Sequence, residues 1–360
     1  MQHILVLGSG KIGQVVAKLL SKKYKVTLAA ILHECTTLAK VELVTLDATD
    51  QVKLTTIIKN KKVDAVISCL PHFITEEVAQ TVIATGVHYF DLTEDVKTTN
   101  RVSDYAKNAP GLVVPQCGLA PGFISIVTQN MLQEFDEIDL VKMRVGALPI
   151  HVSNALQYAL TWSTDGLINE YMQDGVAIRN SQKTTVPGLS GLETLKIDGL
   201  TYEAFHTSGG IGSLVESFVG RVKHMDYKTI RYPGHCDKMH FLLKQLRMEL
   251  KPDWLKQILE TAIPQTTQDL VLIYVSVIGK KDGVLLDRHY AKKIYAGTLQ
   301  GIAASAIQIS TASSVCAVVD LLLSQKNISG LIRQESIDYQ KFLDNEYGSI
   351  FAIGNGSSHV

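Results

Sequence analysis

The stretch His3-Ile4-Leu5-Val6-Leu7-Gly8-Ser9-Gly10-Lys11-Ile12-Gly13 decides the fold. Ile4 to Leu7 read as a strand buried on both faces, Gly8 to Gly13 as a turn, Lys11 to about Ser21 as an amphipathic helix, and Lys25 to Ile31 as the next parallel strand. Each glycine answers a different demand. Gly8 allows a tight turn out of the strand, Gly10 lets the backbone approach a pyrophosphate, and Gly13 lets the helix pack closely on the sheet. The unpaired amides and positive dipole end of that helix then face the phosphates. This opens a dinucleotide-binding domain, and the expected cofactor is NAD or NADP.

Working outward, the second strand ends Leu28-Ala29-Ala30-Ile31-Leu32-His33-Glu34. A fold that prefers NAD usually ends this strand with an acid that binds the adenosine ribose. Ala30 stands in that place; Glu34 is a candidate for the ribose, and His33 or a lysine from elsewhere for a 2'-phosphate, so both cofactors stay open. Strands are expected at Val41 to Leu46, Val63 to Cys69, Gly86 to Asp91 and from Leu112, with helices at 73–85 and 95–108 and Asp47-Ala48-Thr49-Asp50 before a further helix. Strands alternating with helices at this spacing argue a Rossmann-type parallel sheet covered on both faces.

Beyond Cys117-Gly118-Leu119-Ala120-Pro121-Gly122 the pattern changes. A helix from about Phe123 to Phe135 precedes an alternating strand, Ile138 to Gly146; Leu192 to Ile197 and Tyr202 to His206 form a pair joined at Asp198-Gly199. Tyr227 to Tyr232 is another strand, and Leu270 to Ile278 with Gly283 to Tyr295 make a hairpin. The fold class is therefore α/β: an N-terminal Rossmann-type domain with a second α+β domain built on a mixed sheet. The expected division is 1–120 plus 301–325 for the dinucleotide domain, 121–300 for a substrate-binding and dimerisation domain, and 326–360 for a C-terminal tail, with a helix from about Gly301 to Leu323.

The 360 residues suffice for two domains with real cores, and 35 basic residues balance 35 acidic ones with no long basic run. Nucleic acid is not an expected partner, because phosphate-backbone affinity needs a concentrated positive surface. The five cysteines are widely spaced and form no C-x-x-C pattern, and no basic-then-apolar leader opens the sequence; the expectation is a reducing, cytoplasmic setting. Residues 294–319 carry no formal charge, but their Thr, Gln and Ser content suits a buried helix better than lipid, so no membrane is expected.

Ligands of open α/β sheets sit beyond the carboxyl ends of the strands. The cofactor-binding candidates there are Gly8, Gly10, Lys11, Ile12, Gly13, Asp47, Cys69, Leu70 and Pro71, and the candidates for chemistry are His72, Asp91 and Cys117. His72 has a titration range suited to proton transfer, or else lines the cofactor pocket. Asp91 accepts a proton if burial raises its pKa, or else caps a helix with Thr93. Cys117 either contacts the nicotinamide or substrate or is an ordinary buried thiol. In the second domain Thr161, Trp162, Tyr171, His206 and Thr207 are candidate walls for a small polar substrate, with His235 beside them. Arg231 is the candidate carboxylate clamp, because a planar guanidinium binds carboxylates bidentately; the alternative is an ion pair within the protein. No metal is expected: His206, His235 and His240 fall in no ligand pattern, and hydride transfer needs none.

Together these segments resemble the saccharopine dehydrogenase family, and most of all its lysine 6-dehydrogenase branch. Besides the glycine turn and Asp47 to Asp50, the resemblance rests on Cys117 to Gly122, Ala159 to Ser163 with Gly166 to Tyr171, Glu203 to Gly210, and Tyr227 to His235. It implies NAD(P)-dependent oxidation of an amino acid's side-chain amine, L-lysine to its 6-semialdehyde, by a homodimer or higher homo-oligomer. Its alternatives are a saccharopine or carboxynorspermidine dehydrogenase or reductase, acting on a polyamine-like substrate in the last case, or a non-catalytic dinucleotide-binding homologue.

Overall fold

The computed structural model of the chain describes residues 1–32, 37–325 and 328–353. His33 and Glu34, the ribose candidates, lie outside the described residues. Two compact units emerge: Met1–Phe123 with Thr298–Ala304 and Gln308–Ile350, and Ile124–Gly297 with Ser305–Ile307 and the described residues from Phe351 onward.

The first unit begins β1 (His3–Leu7), α1 (Lys11–Leu20), β2 (Lys25–Ala30), β3 (Val41–Thr45), α2 (Gln51–Asn60), β4 (Ala65–Ser68), α3 (His72–Ala84), β5 (His88–Asp91), α4 (Val96–Tyr105) and β6 (Leu112–Val114). All five residues of β1 are buried, because parallel β2 and β4 flank it and helices cover both faces. Leu5, Leu7, Val66, Val78, Val82, Val102 and Val113 share one core cluster, each such side chain contributing about 1.5–3 kcal/mol when taken from water. The side chains of Asp50 and Asp95 accept from the Lys53 and Thr98 amides and so start α2 and α4.

The second unit carries α5 (Phe123–Leu132), β7 (Glu137–Pro149), α6 (Thr164–Met172), β8 (Gly175–Arg179), β9 (Gln182–Val186), β10 (Glu193–Ile197), β11 (Leu200–Phe205), α7 (Leu214–Phe218), β12 (Val222–Arg231), α8 (His235–His240), α9 (Pro252–Ala262), β13 (Asp269–Lys281) and β14 (Val284–Tyr295). Its sheet runs β10-β11-β12-β7-β13-β14, with β8 on β12 and β9 on β8. β12 and β7 are parallel while β11 on β12 and β13 on β7 are antiparallel, so the sheet is mixed as expected. The β8–β9 hairpin is an addition to the strands expected from the sequence, and its turn residues Asn180 and Ser181 both have positive φ, 50° and 62°.

The chain then forms β15 (Gly297–Leu299), β16 (Ile302–Ala304), α10 (Ala306–Leu323), β17 (Gly330–Leu331) and α11 (Tyr339–Asp344). The expected helix start at Gly301 is corrected: Gln300 and Gly301 have φ of 48° and 84° and turn a small hairpin, so the helix begins at Ala306. There the Asp269 carboxylate accepts from the Ala306 and Ile307 amides. Among described residues α10 is the one helix with the length and apolar composition to cross a membrane, and 78% of it is buried.

Residues 330–344 are more than a tail. β17 pairs with β6, completing a seven-stranded parallel sheet in the order β17-β6-β5-β4-β1-β2-β3. Phe342 of α11 packs on Phe123 at 5.4 Å. A two-residue strand and a six-residue helix are too short to show periodicity, which is why sequence reading took them for an appendage.

Candidate functional site

At the carboxyl end of β1 the three glycines separate by physical cause. Gly8 has φ of +96°, and a Cβ on it would lie 2.7 Å from the Cys69 carbonyl oxygen; a Cβ on Gly13 would lie 1.9 Å from the Gly8 carbonyl oxygen. Both are fixed by the protein itself. Gly10 is different: its φ is an ordinary −70° and, among the described residues, a Cβ there would meet no atom within 4 Å. No contact among the described residues asks for glycine at this position, whereas a diphosphate lying against the backbone does. The Ser9 hydroxyl donates to the Leu32 carbonyl at 2.7 Å and the Gln14 amide to the Ser9 carbonyl at 2.7 Å, which hold the loop open-handed over α1. No side chain caps α1 at Gly10 and its first turn carries no acid, so the positive end of the helix suits an anion. The residues present therefore fit a dinucleotide.

Around this loop, Cys69 and Leu70 pack against Gly8, Pro71 caps α3, and half-buried His72 opens that helix edge-on to Phe73 at 5.6 Å. Asp47 accepts from the Thr49 amide and hydroxyl at 3.0 and 2.7 Å, bonds that lower its carboxyl pKa and close the turn before α2.

Asp91 ends β5 with 1% of its surface exposed. Its Oδ1 accepts from the Gln116 and Thr93 amides at 2.9 and 3.1 Å, while its buried Oδ2 has no partner among the described residues. Burial raises its carboxyl to about 6, with the two amide bonds pulling the other way. The buried hydroxyls of Ser68, Tyr89 and Thr93 are likewise without partners among the described residues, and Ser68 is the β4 register mate of Asp91. Such groups cost about 1–3 kcal/mol each unless water or a ligand meets them. Glu94, three residues on and missed in the sequence, has its carboxyl pushed up by burial against the opposing pull of His72.

Cys117 does not have the surroundings of a reactive thiol. It is fully buried, its Sγ donates to the Val114 carbonyl at 3.1 Å and accepts from the Gln334 amide at 3.4 Å, and burial holds its pKa well above the ordinary value. The expectation of chemistry there is corrected to a packing position.

In the second unit, Arg231 ends β12 with 2% of its surface exposed. Its guanidinium lies over the Tyr158 ring at 5.0 Å and the Tyr171 ring at 5.9 Å, donates from Nε to the Tyr171 hydroxyl at 2.9 Å and from Nη1 to the Ile230 carbonyl at 2.8 Å. Among the described residues no carboxylate lies within ion-pair distance of it, but the buried Glu170 carboxylate acts on it electrostatically and favours its charged form. The Trp162 indole donates to the Tyr158 hydroxyl at 3.2 Å, and Trp162 is the half-buried member of this otherwise buried group. The Thr161 and Thr207 hydroxyls are buried without partners among the described residues.

Two of the candidate histidines are held by the protein's own groups. His206 bonds through Nδ1 to the Tyr227 carbonyl at 3.2 Å and packs its ring against Gly191, where a Cβ would come within 2.6 Å. His235 has both ring nitrogens engaged, Nδ1 with the Leu156 carbonyl at 2.7 Å and Nε2 with the Tyr171 hydroxyl at 3.0 Å; burial and Arg231 push it down to about 3. Glu203, which sequence reading left without a role, accepts from the Gly234 and Cys236 amides at 2.7 and 2.6 Å and so anchors α8 on either side of His235.

With these two centres described, comparison with known proteins decides the affiliation. The saccharopine dehydrogenase NADP binding domain matches residues 4–113, and the saccharopine dehydrogenase C-terminal domain matches residues 118–346. The chain belongs to the saccharopine dehydrogenase family. It is thereby an NAD(P)-dependent amino-acid dehydrogenase by family. Saccharopine dehydrogenase (L-Glu forming) from Saccharomyces cerevisiae shares its fold, with a TM-score of 0.74 at 16% identity over 98% of this chain and 96% of that one. DAP dehydrogenase from C. glutamicum is also similar, with a TM-score of 0.49 at 15% identity over 94% of this chain and 95% of that one.

Proposed function

We propose that this chain oxidatively deaminates the side-chain amine of an amino acid, with L-lysine as substrate and its 6-semialdehyde as product. The observation that carries the reading is Arg231: a buried guanidinium in the field of the buried Glu170 carboxylate but with no carboxylate at ion-pair distance among the described residues, and with part of its fork still available. A buried cation in that state is stabilised by an anion brought in from outside. An α-carboxylate supplies it.

The roles of the chain's own residues follow. Arg231 holds the α-carboxylate, and Trp162 is the side chain of its group that a ligand entering from solvent meets first. In the first unit Asp91 is the proposed proton acceptor for the reaction, a task for which a carboxyl raised to about 6 is matched to neutral pH. His72 is the second candidate for that proton. A nicotinamide held there would supply the hydride acceptor for the ε-carbon; water adding to the resulting substrate imine releases ammonia and leaves the aldehyde. Gly8, Gly10 and Gly13 shape the loop that holds the diphosphate. The same reading sets the reaction in the cytoplasm, which suits the free thiols Cys69, Cys117, Cys236 and Cys316, and expects a homo-oligomer.

The test is to incubate the protein with lysine, saccharopine and carboxynorspermidine, each with NAD and with NADP, while following reduced nicotinamide and released ammonia. Lysine should give both signals in equal amounts. Turnover of saccharopine or carboxynorspermidine without ammonia would replace the substrate assignment, and no turnover with any pair would reject the reading.

A further inference from the structure

The Arg231 cluster fixes the direction of its own hydrogen bonds. The Leu156 carbonyl can only accept, so His235 Nδ1, 2.7 Å away, carries the proton of the neutral ring. Nε2 is then an acceptor, and the Tyr171 hydroxyl 3.0 Å away must donate to it. The oxygen of that hydroxyl is left to accept from Arg231 Nε at 2.9 Å. With Nε spent on Tyr171 and one Nη1 hydrogen spent on the Ile230 carbonyl, the guanidinium keeps its free hydrogens on the Nη1–Nη2 end. Tyr158 and Tyr171 hold its faces, and the two amide bonds to Glu203 fix the backbone around His235.

We propose that Tyr171 and His235 are positioning residues that orient Arg231 to take the substrate carboxylate end-on, through Nη1 and Nη2, and so select α-amino acids over the corresponding diamines. The inference rests on the reading of Arg231 as the carboxylate clamp. It assigns to Tyr171 and His235 no contact with the ligand. Their effect is on where the fork points, because a bidentate bond weakens steeply once its angles are lost.

The test compares the wild type with Tyr171→Phe, His235→Leu and His235→Gln, using lysine and cadaverine, which carries the same amine chain without the α-carboxylate. For lysine, kcat/KM should fall about ten- to a hundredfold in Tyr171→Phe and His235→Leu, mainly through KM. Calorimetric binding of lysine should weaken in parallel. For cadaverine the change should stay within about threefold, and His235→Gln, whose amide oxygen still accepts from Tyr171, should restore most of the lysine activity. An equal loss for both amines would overturn the proposal, since that is what general loosening produces. Nitrogen-15 NMR of the wild type reads the chain without any turnover and without any variant having to fold: His235 should be neutral with its proton on Nδ1, and a proton on Nε2 would overturn it. Lysine oxidised normally by Tyr171→Phe removes the positioning role alone. A wild type that neither binds nor oxidises an α-amino acid removes the clamp and this proposal together.

Discussion

Arg144 and Arg231 stand on neighbouring strands of one sheet, each almost sealed from water, and their surroundings are opposite. Arg144 meets Glu193 at 2.5 Å and Asp226 at 2.7 Å, while Arg179 and Lys228 close the network from the far side of those carboxylates. Burial alone would push the Asp226 carboxyl up, but Arg144 and Arg179 outweigh it and hold it down at about 2. Arg231 has two aromatic faces, a hydroxyl and a carbonyl in direct contact, with the buried Glu170 carboxylate acting on it without an ion pair among the described residues. A buried charge with its counterions in place is structure; one without them is completed by something that binds. The proposed carboxylate clamp rests on the second condition.

The largest effect should come from breaking the completed network. Arg144→Ala leaves Glu193 and Asp226 without their shared cation and should cost about 3–5 kcal/mol of stability by chemical denaturation. The sign with pH sharpens this. Because the folded pKa of Asp226 is depressed, its contribution is present above the unfolded carboxylate range near pH 4 and is lost as pH falls toward about 2, so the variant should show a shallower acid slope than the wild type. A variant as stable as its parent would dissolve the distinction between the two arginines.

Asp91 offers the same contrast in the first unit, since one of its oxygens is met and the other is not. Its folded pKa is raised, so the folded protein binds the proton more tightly: relative to acid conditions, stability falls between pH about 4 and 6 and then levels off. Asp91→Asn should remove that slope, a difference of up to about 3 kcal/mol above pH 6. It should also abolish the rise of kcat/KM through pH about 6 that a proton acceptor at this position imposes. A variant with the wild-type pH profile would take the proton from Asp91 and leave it to His72.

The smallest of these effects separates two glycines of one motif. Gly13→Ala drives a Cβ into the Gly8 carbonyl and should lose both stability and cofactor binding, whereas Gly10→Ala meets no atom of the described residues and should keep its Tm while cofactor affinity falls about tenfold. Equal Tm losses would mean that Gly10 is also structural.

The parallel sheet was legible because β1 is an unbroken apolar run followed by glycines whose roles are local. The mixed sheet was legible for the same reason: the β10–β11 and β13–β14 hairpins announce themselves at Asp198-Gly199 and Asp282-Gly283, all with positive φ. What escaped depends on partners far apart in the chain. The Arg144 network joins residues separated by 49 and 82 positions, and the chain from Arg231 to Leu156 passes through Tyr171 and His235 over separations of 60, 64 and 79. Residue type alone makes His235 a candidate ligand contact; the structure adds that both of its ring nitrogens are occupied, on which its proposed positioning role rests. β8 and β9 escaped for another reason, since the exposed and half-buried run Gln182 to Val186 carries no apolar alternation.

The direct test of the clamp is Arg231→Ala, assayed for lysine oxidation and for cofactor affinity in the same preparation. Losing a charged bidentate contact of about 2–5 kcal/mol should lower kcat/KM by at least about thirtyfold, leave the cofactor Kd within about twofold and shift Tm less than Arg144→Ala does. Unchanged catalytic efficiency, or a matching loss of cofactor binding, would contradict the account.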